Sequence, residues 1–317
     1  MKVAGRIRTA WHRSAMTAFL TLGALSPASD ALAQFAQTQL RGPYLGQTPP
    51  GSRPEIFAPG VVSTAAHEFS CSFTPDGREL YFTRRVSPQS PMLIMVSRMV
   101  NGTWTEPEPA AFNDQAAQMS FEPMVTPDGR RLYFSSDKPV APQATLGGPP
   151  TTNTWYLDRE GDVWSQPRNP GPPFNPMRSM YVTMTSAGTI YTTDISAGMG
   201  SEGIGVARLV GGTYRAIERL GAPINVGTGN MYPYIAPDEQ YLVFSRRQGG
   251  PGGTSGLLVS FRNSDGSWGE PRVIDLGMSA GTPTVSHDGR YLFFSAGDRG
   301  RGDIYWVSAE VLRASPR

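Results

Sequence analysis

The sequence is short of the residues that most chemistry needs. It has one cysteine, Cys71, so no internal disulfide can form, and its place in an apolar alternating stretch marks it as a small buried side chain. It has three histidines, and His12 falls in the N-terminal leader, so a transition-metal site rich in imidazole is disfavoured. Beyond residue 33 no apolar run approaches the roughly 18 residues that a membrane-spanning helix requires. Charge of either sign is also in balance. Residues 1–33 hold four of the 28 basic and one of the 26 acidic residues, which leaves the remainder within one unit of neutrality and without the basic footprint of a nucleic-acid binder. There is no Gly-x-Ser-x-Gly elbow, no His-Glu-x-x-His and no phosphate loop. The glycine-rich GGPGGTSG at 249–256 lacks the lysine and following helix of a phosphate cradle and reads as a loop joining two strands.

The first 33 residues combine Lys2, Arg6, Arg8 and Arg13 with an apolar stretch from Ala15 to Leu25 and the small-residue site Ala31-Leu32-Ala33. That is the pattern of a cleavable secretory signal, so the mature chain is expected to start near Gln34 and to be periplasmic or secreted. No cysteine follows the cleavage site and Arg6 and Arg8 are not adjacent, so neither a lipid anchor nor a twin-arginine signal is indicated.

What is abundant is one sentence rewritten. FTPDGRELYFTR at 73–84 returns as VTPDGRRLYFSSD at 125–137, IAPDEQYLVFSRR at 235–247 and VSHDGRYLFFSAGD at 285–298. Aligned on the turn, Gly77, Gly129, Gly188, Glu239 and Gly289 are spaced by 52, 59, 51 and 50 residues. Periods of this length belong to solenoids and propellers. In each unit proline presets a turn, aspartate bonds locally and glycine takes the left-handed position, which joins two strands as a tight hairpin. Leu80 and Phe82, like Leu132 and Phe134, then alternate with the opposite face. A third apolar stretch follows, then a second turn such as Asn101-Gly102-Thr103-Trp104 or Asp265-Gly266-Ser267-Trp268 leading into a fourth strand. The recurring aromatics Trp104, Trp164, Tyr214 and Trp268 are read as blade packing, and the sequon-like Asn101-Gly102-Thr103 as a turn.

These features predict an all-β fold, a β-propeller of four-stranded antiparallel blades. Five blades are expected, with six as the alternative should the 59-residue step conceal an irregular unit. The last unit stops after its third strand, at Ile304–Val307, and PEIFAPG at 54–60 resembles the fourth strand EPRVIDLG at 270–277. The N-terminal strand should therefore close the ring. The expected organisation is a signal peptide at 1–33, an irregular extension at 34–53, one propeller at 54–312 and a tail at 313–317. The third unit, MTSAGTIYTTD, is one residue shorter at its turn, and the turn at Glu239 is expected to be rebuilt, because a left-handed backbone there costs about 1 kcal/mol.

At SFTPDGRELYFTR, VTPDGRRLYFSSD and DIYWVS the sequence resembles the WD-like repeats of TolB-type β-propellers, over roughly residues 54–312. The resemblance implies a propeller of an exported bacterial family, with the first strand of each unit lining a central channel. The segment Gln34–Arg53 is too short for the additional N-terminal α/β domain of TolB. In the implied geometry the loops between second and third strands share one face and bring together Arg84, Arg85, Asp137, Asp194, Arg246, Arg247, Arg299 and Arg301. Arginines from three blades could recognise a carboxylate or phosphate, against the plainer reading of solvated, mutually paired loop charges. His67, Glu68, Glu122 and Tyr232 fall at the channel entry. Glu68 and Glu122 are the pair that a glycoside hydrolase or lyase-type enzyme would use. His287 replaces a turn proline and is read as structural. No cofactor is expected, and a calcium ion on channel carboxylates has no aspartate-rich loop to support it. The leading expectation is a monomeric, non-catalytic module that binds a protein partner or a cell-envelope glycan.

Overall fold

The computed structural model describes residues 40–114, 117–138, 152–175, 179–197, 200–247, 255–298 and 301–314. The expected leader at 1–33 lies outside them. Five antiparallel sheets stand around one axis as a five-bladed β-propeller. Blade 1 runs outward through His67–Phe73, Glu79–Arg85, Leu93–Val100 and Glu108–Pro109. Blade 2 uses Ser120–Val125, Arg131–Ser136 and Asn153–Glu160, with Arg168 bridging Tyr156 at its outer edge. Blade 3 uses Ser179–Met184, Ile190–Asp194, Gly203–Ala207 and Glu218–Arg219, and blade 4 uses Asn230–Ile235, Tyr241–Arg247, Ser255–Phe261 and Arg272–Val273. The 59-residue step adds no blade, because its extra length falls between Ser136 and Asn153.

Blade 5 closes the ring as the repeat pattern required. Gly281–Val285, Tyr291–Asp298 and Arg301–Ser308 are completed by Glu55–Ile56, which pairs antiparallel with Trp306 and Tyr305. Phe57 continues the closure, its N–H donating to the Ile304 carbonyl at 2.8 Å. Its ring packs edge-on against Phe293 and Trp306, both fully buried. Residues 40–47 add to this packing, with Leu40 and Leu45 in the same core and Tyr44 among Phe73, Tyr291 and Trp306. Uniting the two ends of the chain in one blade removes the exposed edges an open ring would leave.

Two turns test the repeat. In blade 3 the Thr185 N–H donates to the Thr189 carbonyl, whereas in blade 1 the Thr74 N–H reaches Glu79, so the third turn is indeed one residue shorter. The turn at Glu239 is a correction: it is not rebuilt. Glu239 takes φ 60° in the glycine slot, and its carboxylate accepts the Tyr191 hydroxyl at 2.5 Å and Arg262 at 2.6 Å. Charge-assisted bonds of this kind offset a strain of about 1 kcal/mol.

The apolar core lies between blades rather than within them, as five clusters around the ring. Among the described residues sixteen buried side chains fill the junction of blades 5 and 1 and five fill that of blades 2 and 3. Truncating the closure should cost most. Trp306→Ala is expected to destabilise by about 3 to 5 kcal/mol, measured by chemical denaturation against a Val163→Ala control at an exposed site.

Candidate functional site

The channel is built from five equivalent residues. Each inner strand breaks register once, between Phe69 and Cys71, Phe121 and Met124, Met180 and Thr183, Met231 and Tyr234, and Gly281 and Thr284. Within each break one non-glycine residue has positive φ: Ser70, Glu122, Tyr181, Tyr232 and Thr282, at 50°, 58°, 56°, 54° and 44°. A bulge lets an unpaired residue turn off the ladder and aim its side chain and N–H elsewhere. Proline follows three of them, as Pro123, Pro233 and Pro283, where the interrupted ladder needs no donor.

The freed N–H groups stitch neighbouring blades together. Glu122 donates to Thr83 Oγ1 of blade 1 at 3.0 Å, and Tyr232 donates to Thr193 Oγ1 of blade 3 at 2.8 Å. The Tyr181 N–H donates to Glu122 Oε2 at 2.9 Å, and the same oxygen accepts the Ser135 hydroxyl at 3.0 Å. Burial pushes the Glu122 carboxyl up to about 8 against these two bonds, so the group is largely protonated at neutral pH. Tyr181 then reaches across the ring, its hydroxyl donating to the Pro283 carbonyl of blade 5 at 2.5 Å and its ring lying edge-on to Tyr232. On the turn side of this crossing, Ser72, Met124, Thr183, Tyr234 and Thr284 line a cavity of about 40 Å³. That volume admits water and not a sugar ring.

Glu68 sits in different surroundings. It is fully buried, its Oε1 accepting Arg84 Nε at 2.8 Å and the Thr64 hydroxyl at 2.6 Å, and its Oε2 accepting the Thr64 N–H at 3.2 Å. Arg84 also donates to the Val61 and Val62 carbonyls. No bond joins Glu68 to Glu122, and Glu68 does not contribute to the raised pKa of Glu122. His67 packs its ring on Gly302 and Phe69. Burial and Arg85 lower its pKa against the pull of Glu68 and Asp303.

The loop charges are mostly spoken for. Arg246 repeats the role of Arg84 in blade 4, donating to Asn230 Oδ1 at 2.7 Å and the Ile224 carbonyl at 2.9 Å. Arg85 donates to the carbonyls of Ser90 and Pro88, and Asp137 accepts the N–H groups of Gln118 and Met119. Asp194 takes Arg219 Nε at 2.5 Å. Burial there disfavours charge, but Ser196 and Arg219 outweigh it and hold the carboxyl below its usual range. Arg247 lies 3.5 Å from Glu202, whose Oε2 is buried without a hydrogen-bond partner among the described residues. Arg301 is exposed, and Arg299 lies outside the described residues. The structure thus gathers Glu122, Tyr181 and Tyr232 at the channel and disperses the arginines into separate pairs. Sequence reasoning passed over Glu202, Arg219 and the hydroxyls of Thr83, Ser135 and Thr193. The Ser/Thr that recurs three residues after Leu80, Leu132, Ile190, Leu242 and Leu292 was the available signal.

Among the described residues no group of three or more His, Cys, Asp or Glu is placed to hold a metal ion, and none of their helices is long and apolar enough to cross a membrane. The Cys71 thiol is buried and its pKa is raised by that burial. His287 Nε2 meets the Phe73 carbonyl of the neighbouring blade at 2.9 Å, a cross-blade contact in place of the turn proline.

No protein-family model and no curated protein matches the chain. Among solved structures it is similar to the endo-arabinase from Bacteroides thetaiotaomicron, with a TM-score of 0.52 and 14% identity over 83% of this chain and 97% of that one. It is also similar to TolB from Acinetobacter baumannii, with a TM-score of 0.48 and 17% identity over 80% of this chain and 54% of that one. A thermostable family-43 glycoside hydrolase gives a TM-score of 0.49 and 12% identity over 78% and 90%. The chain spans about half the length of the TolB chain. These identities establish the propeller fold alone.

Two outcomes follow from the channel geometry. Because the folded pKa of Glu122 lies above its unfolded value, the folded state holds the proton longer. The Glu122 contribution to stability should therefore fall as pH rises from about 4.5 to 8, against the opposite pull of His67 and His287, so Glu122→Gln should gain melting temperature relative to wild type toward pH 8. Arg84→Ala strands a buried carboxylate and is expected to cost about 3 to 5 kcal/mol, whereas Arg301→Ala should lie within about 0.5 kcal/mol of wild type by urea denaturation.

Proposed function

We propose that this protein is an exported, non-catalytic β-propeller that binds a protein partner or a cell-envelope glycan. The observation that carries this reading is the state of the two channel acids. Hydrolysis of a glycoside requires two carboxyl groups about 5 to 10 Å apart with the sugar between them. Glu68 is enclosed by Arg84 and Thr64, Glu122 is tied to Ser135 and Tyr181, and the Tyr181 side chain crosses the space a substrate would enter. Export, to the periplasm or beyond, follows from the leader-like pattern at 1–33, and a single unpaired cysteine is compatible with it.

One observation favours a second reading, a glycoside hydrolase or lyase-type enzyme working at the channel. Glu122 is protonated near neutral pH, the state in which a general acid must wait. That reading needs Tyr181 to leave the Pro283 carbonyl and Glu68 to leave Arg84. The test is capture by the tagged, purified protein from its native envelope fraction, paired with a reducing-sugar assay on the same fraction. Binding without new reducing ends is the expected result. Turnover that disappears in a folded Glu122→Gln variant would overturn the proposal in favour of the enzyme.

A further inference from the structure

On the face that carries the turns between first and second strands, the hairpin joining the third and fourth strands of a blade leans over the second strand of the blade before it. One backbone bond marks the residue that leaves the third strand for this hairpin. Met99, Arg159 and Arg262 donate in this way to the carbonyls of Arg78, Arg130 and Gln240. Arg159 lies 4.8 Å over the Trp164 ring and pairs with Glu79 of blade 1 at 2.6 Å, while Trp164 Nε1 donates to the Tyr81 hydroxyl at 2.7 Å. Arg262 lies 4.0 Å over Trp268, pairs with Glu239 at 2.6 Å and donates to the Tyr191 hydroxyl of blade 3 at 3.2 Å. Beside Met99, Trp104 holds the Leu40 and Gly42 carbonyls, and Tyr44 enters between blades 5 and 1 with its hydroxyl on Asp288.

The seam between blades 4 and 5 is built differently. Blade 5 is assembled from both ends of the chain, so no hairpin joins its third and fourth strands. Ala309 donates to the Arg290 carbonyl at 2.8 Å and so stands where Arg159 and Arg262 stand, with no indole beside it. Across the seam Val243 stands where Tyr81 and Tyr191 offer a hydroxyl. Near the axis, Ser245 stands where Thr83 and Thr193 accept the N–H of the next blade, and its Oγ is buried without a hydrogen-bond partner among the described residues. These two blades are held by an apolar cluster that includes Val243, Phe294 and Leu312, and by Arg272, which donates to the Leu312 and Ala314 carbonyls.

The missing hairpin leaves a groove of about 490 Å³ with Leu312 buried at its floor. Tyr241 and Phe261, both partly exposed, line it as a cross-strand pair with ring centroids 6.0 Å apart. In blades 1 and 2 the same cross-strand position holds the ion pairs Glu79–Arg98 and Arg131–Asp158. Blade 4 thus turns apolar surface outward where they turn charge. The two rings are tilted by 44°, and Tyr241 is tilted by 40° from Tyr234, so they form a trough and not the flat platform on which a sugar stacks. Arg290, 5.3 Å over the Tyr291 ring, and Arg313 also line the groove. Both are exposed, and neither is paired with a carboxylate among the described residues. Glu310 is the one acid of the lining, and nearby Asp238 accepts the Gln240 N–H of its own turn.

We propose that the groove between blades 4 and 5 binds an extended acidic segment of a partner protein. An apolar side chain of the segment would lie over Tyr241 and Phe261, and flanking carboxylates would meet Arg290 and Arg313. Aromatic rings edged by arginine are the surface that protein interfaces favour. This rests on the binding-module reading and gives it a place and a ligand class.

The test places a photoprobe in the groove as Glu310→p-benzoylphenylalanine, in tagged protein irradiated in its native envelope fraction, and sequences the joined segment by mass spectrometry. A protein segment of net negative charge is expected. Its yield should drop at least about tenfold when Arg290→Glu and Arg313→Glu are combined, and in about 0.5 M salt. The pair Arg208→Glu and Arg215→Glu, exposed on blade 3 outside the groove, should leave the yield within about twofold. Unchanged melting transitions show that the variants fold. No crosslink from position 310, a joined segment without net negative charge, a saccharide in place of a peptide, or a yield indifferent to the reversal at 290 and 313 would overturn the proposal. Should capture from the same fraction still yield a partner in any of these cases, the binding-module reading stands and only the groove is lost.

Discussion

A left-handed residue in the middle of each inner strand is the constraint on which this propeller turns. At Ser70, Glu122, Tyr181, Tyr232 and Thr282 the chain accepts a conformation that costs a non-glycine residue about 1 to 2 kcal/mol. At Glu122, Tyr181 and Tyr232 it points in return a backbone donor out of its own sheet toward a neighbouring one. Glu122 to Thr83 and Tyr232 to Thr193 are direct stitches, and between blades 2 and 3 the Glu122 carboxyl is interposed between Ser135 and Tyr181. The same distortion sends the Tyr181 and Tyr232 side chains into the axis, where one of them reaches blade 5. Blades 1 to 4 are thus joined at the centre by hydrogen bonds in addition to their apolar cores. The feature that joins them also occupies the channel.

This arrangement moves the question of function outward. With its axis crossed by tyrosine and its acids held by Arg84, Ser135 and Tyr181, the channel serves cohesion. The seams near the rim differ from one another as the channel positions do not. An arginine at 159 or 262 ties its seam with a carboxylate, the chain's own Tyr44 enters beside Met99, and between blades 2 and 3 Arg131 stacks over Tyr156 while Leu209 stays partly exposed.

The repeat made the fold legible, because the turn residues Thr-Pro-Asp-Gly and the alternating Leu and Phe are demanded by backbone geometry and burial in every blade. Closure by Glu55–Ile56 was legible for the same reason, since the last unit visibly lacked a strand. Glu239 misled because a local rule about glycine was applied without the partners, Tyr191 and Arg262, that lie 48 and 23 residues away in sequence. Arg84 and Arg246 were taken for loop charges when they close pairs with Glu68 and Asn230, residues on the adjacent strand whose register the sequence leaves unstated. The bulges were hidden in a pattern that reads as plain alternation, although a proline inside three of the five inner strands marked where the ladder breaks.

Site-specific photo-crosslinking in the native envelope fraction addresses the central claim most directly. A photoreactive residue at Val210 reports on the face bearing the turns between first and second strands, and one at Arg301 reports on the opposite face. Crosslinking of a partner protein from position 210 and not from position 301 is the outcome this account predicts. Crosslinks confined to position 301 would place binding on the loop face and contradict it.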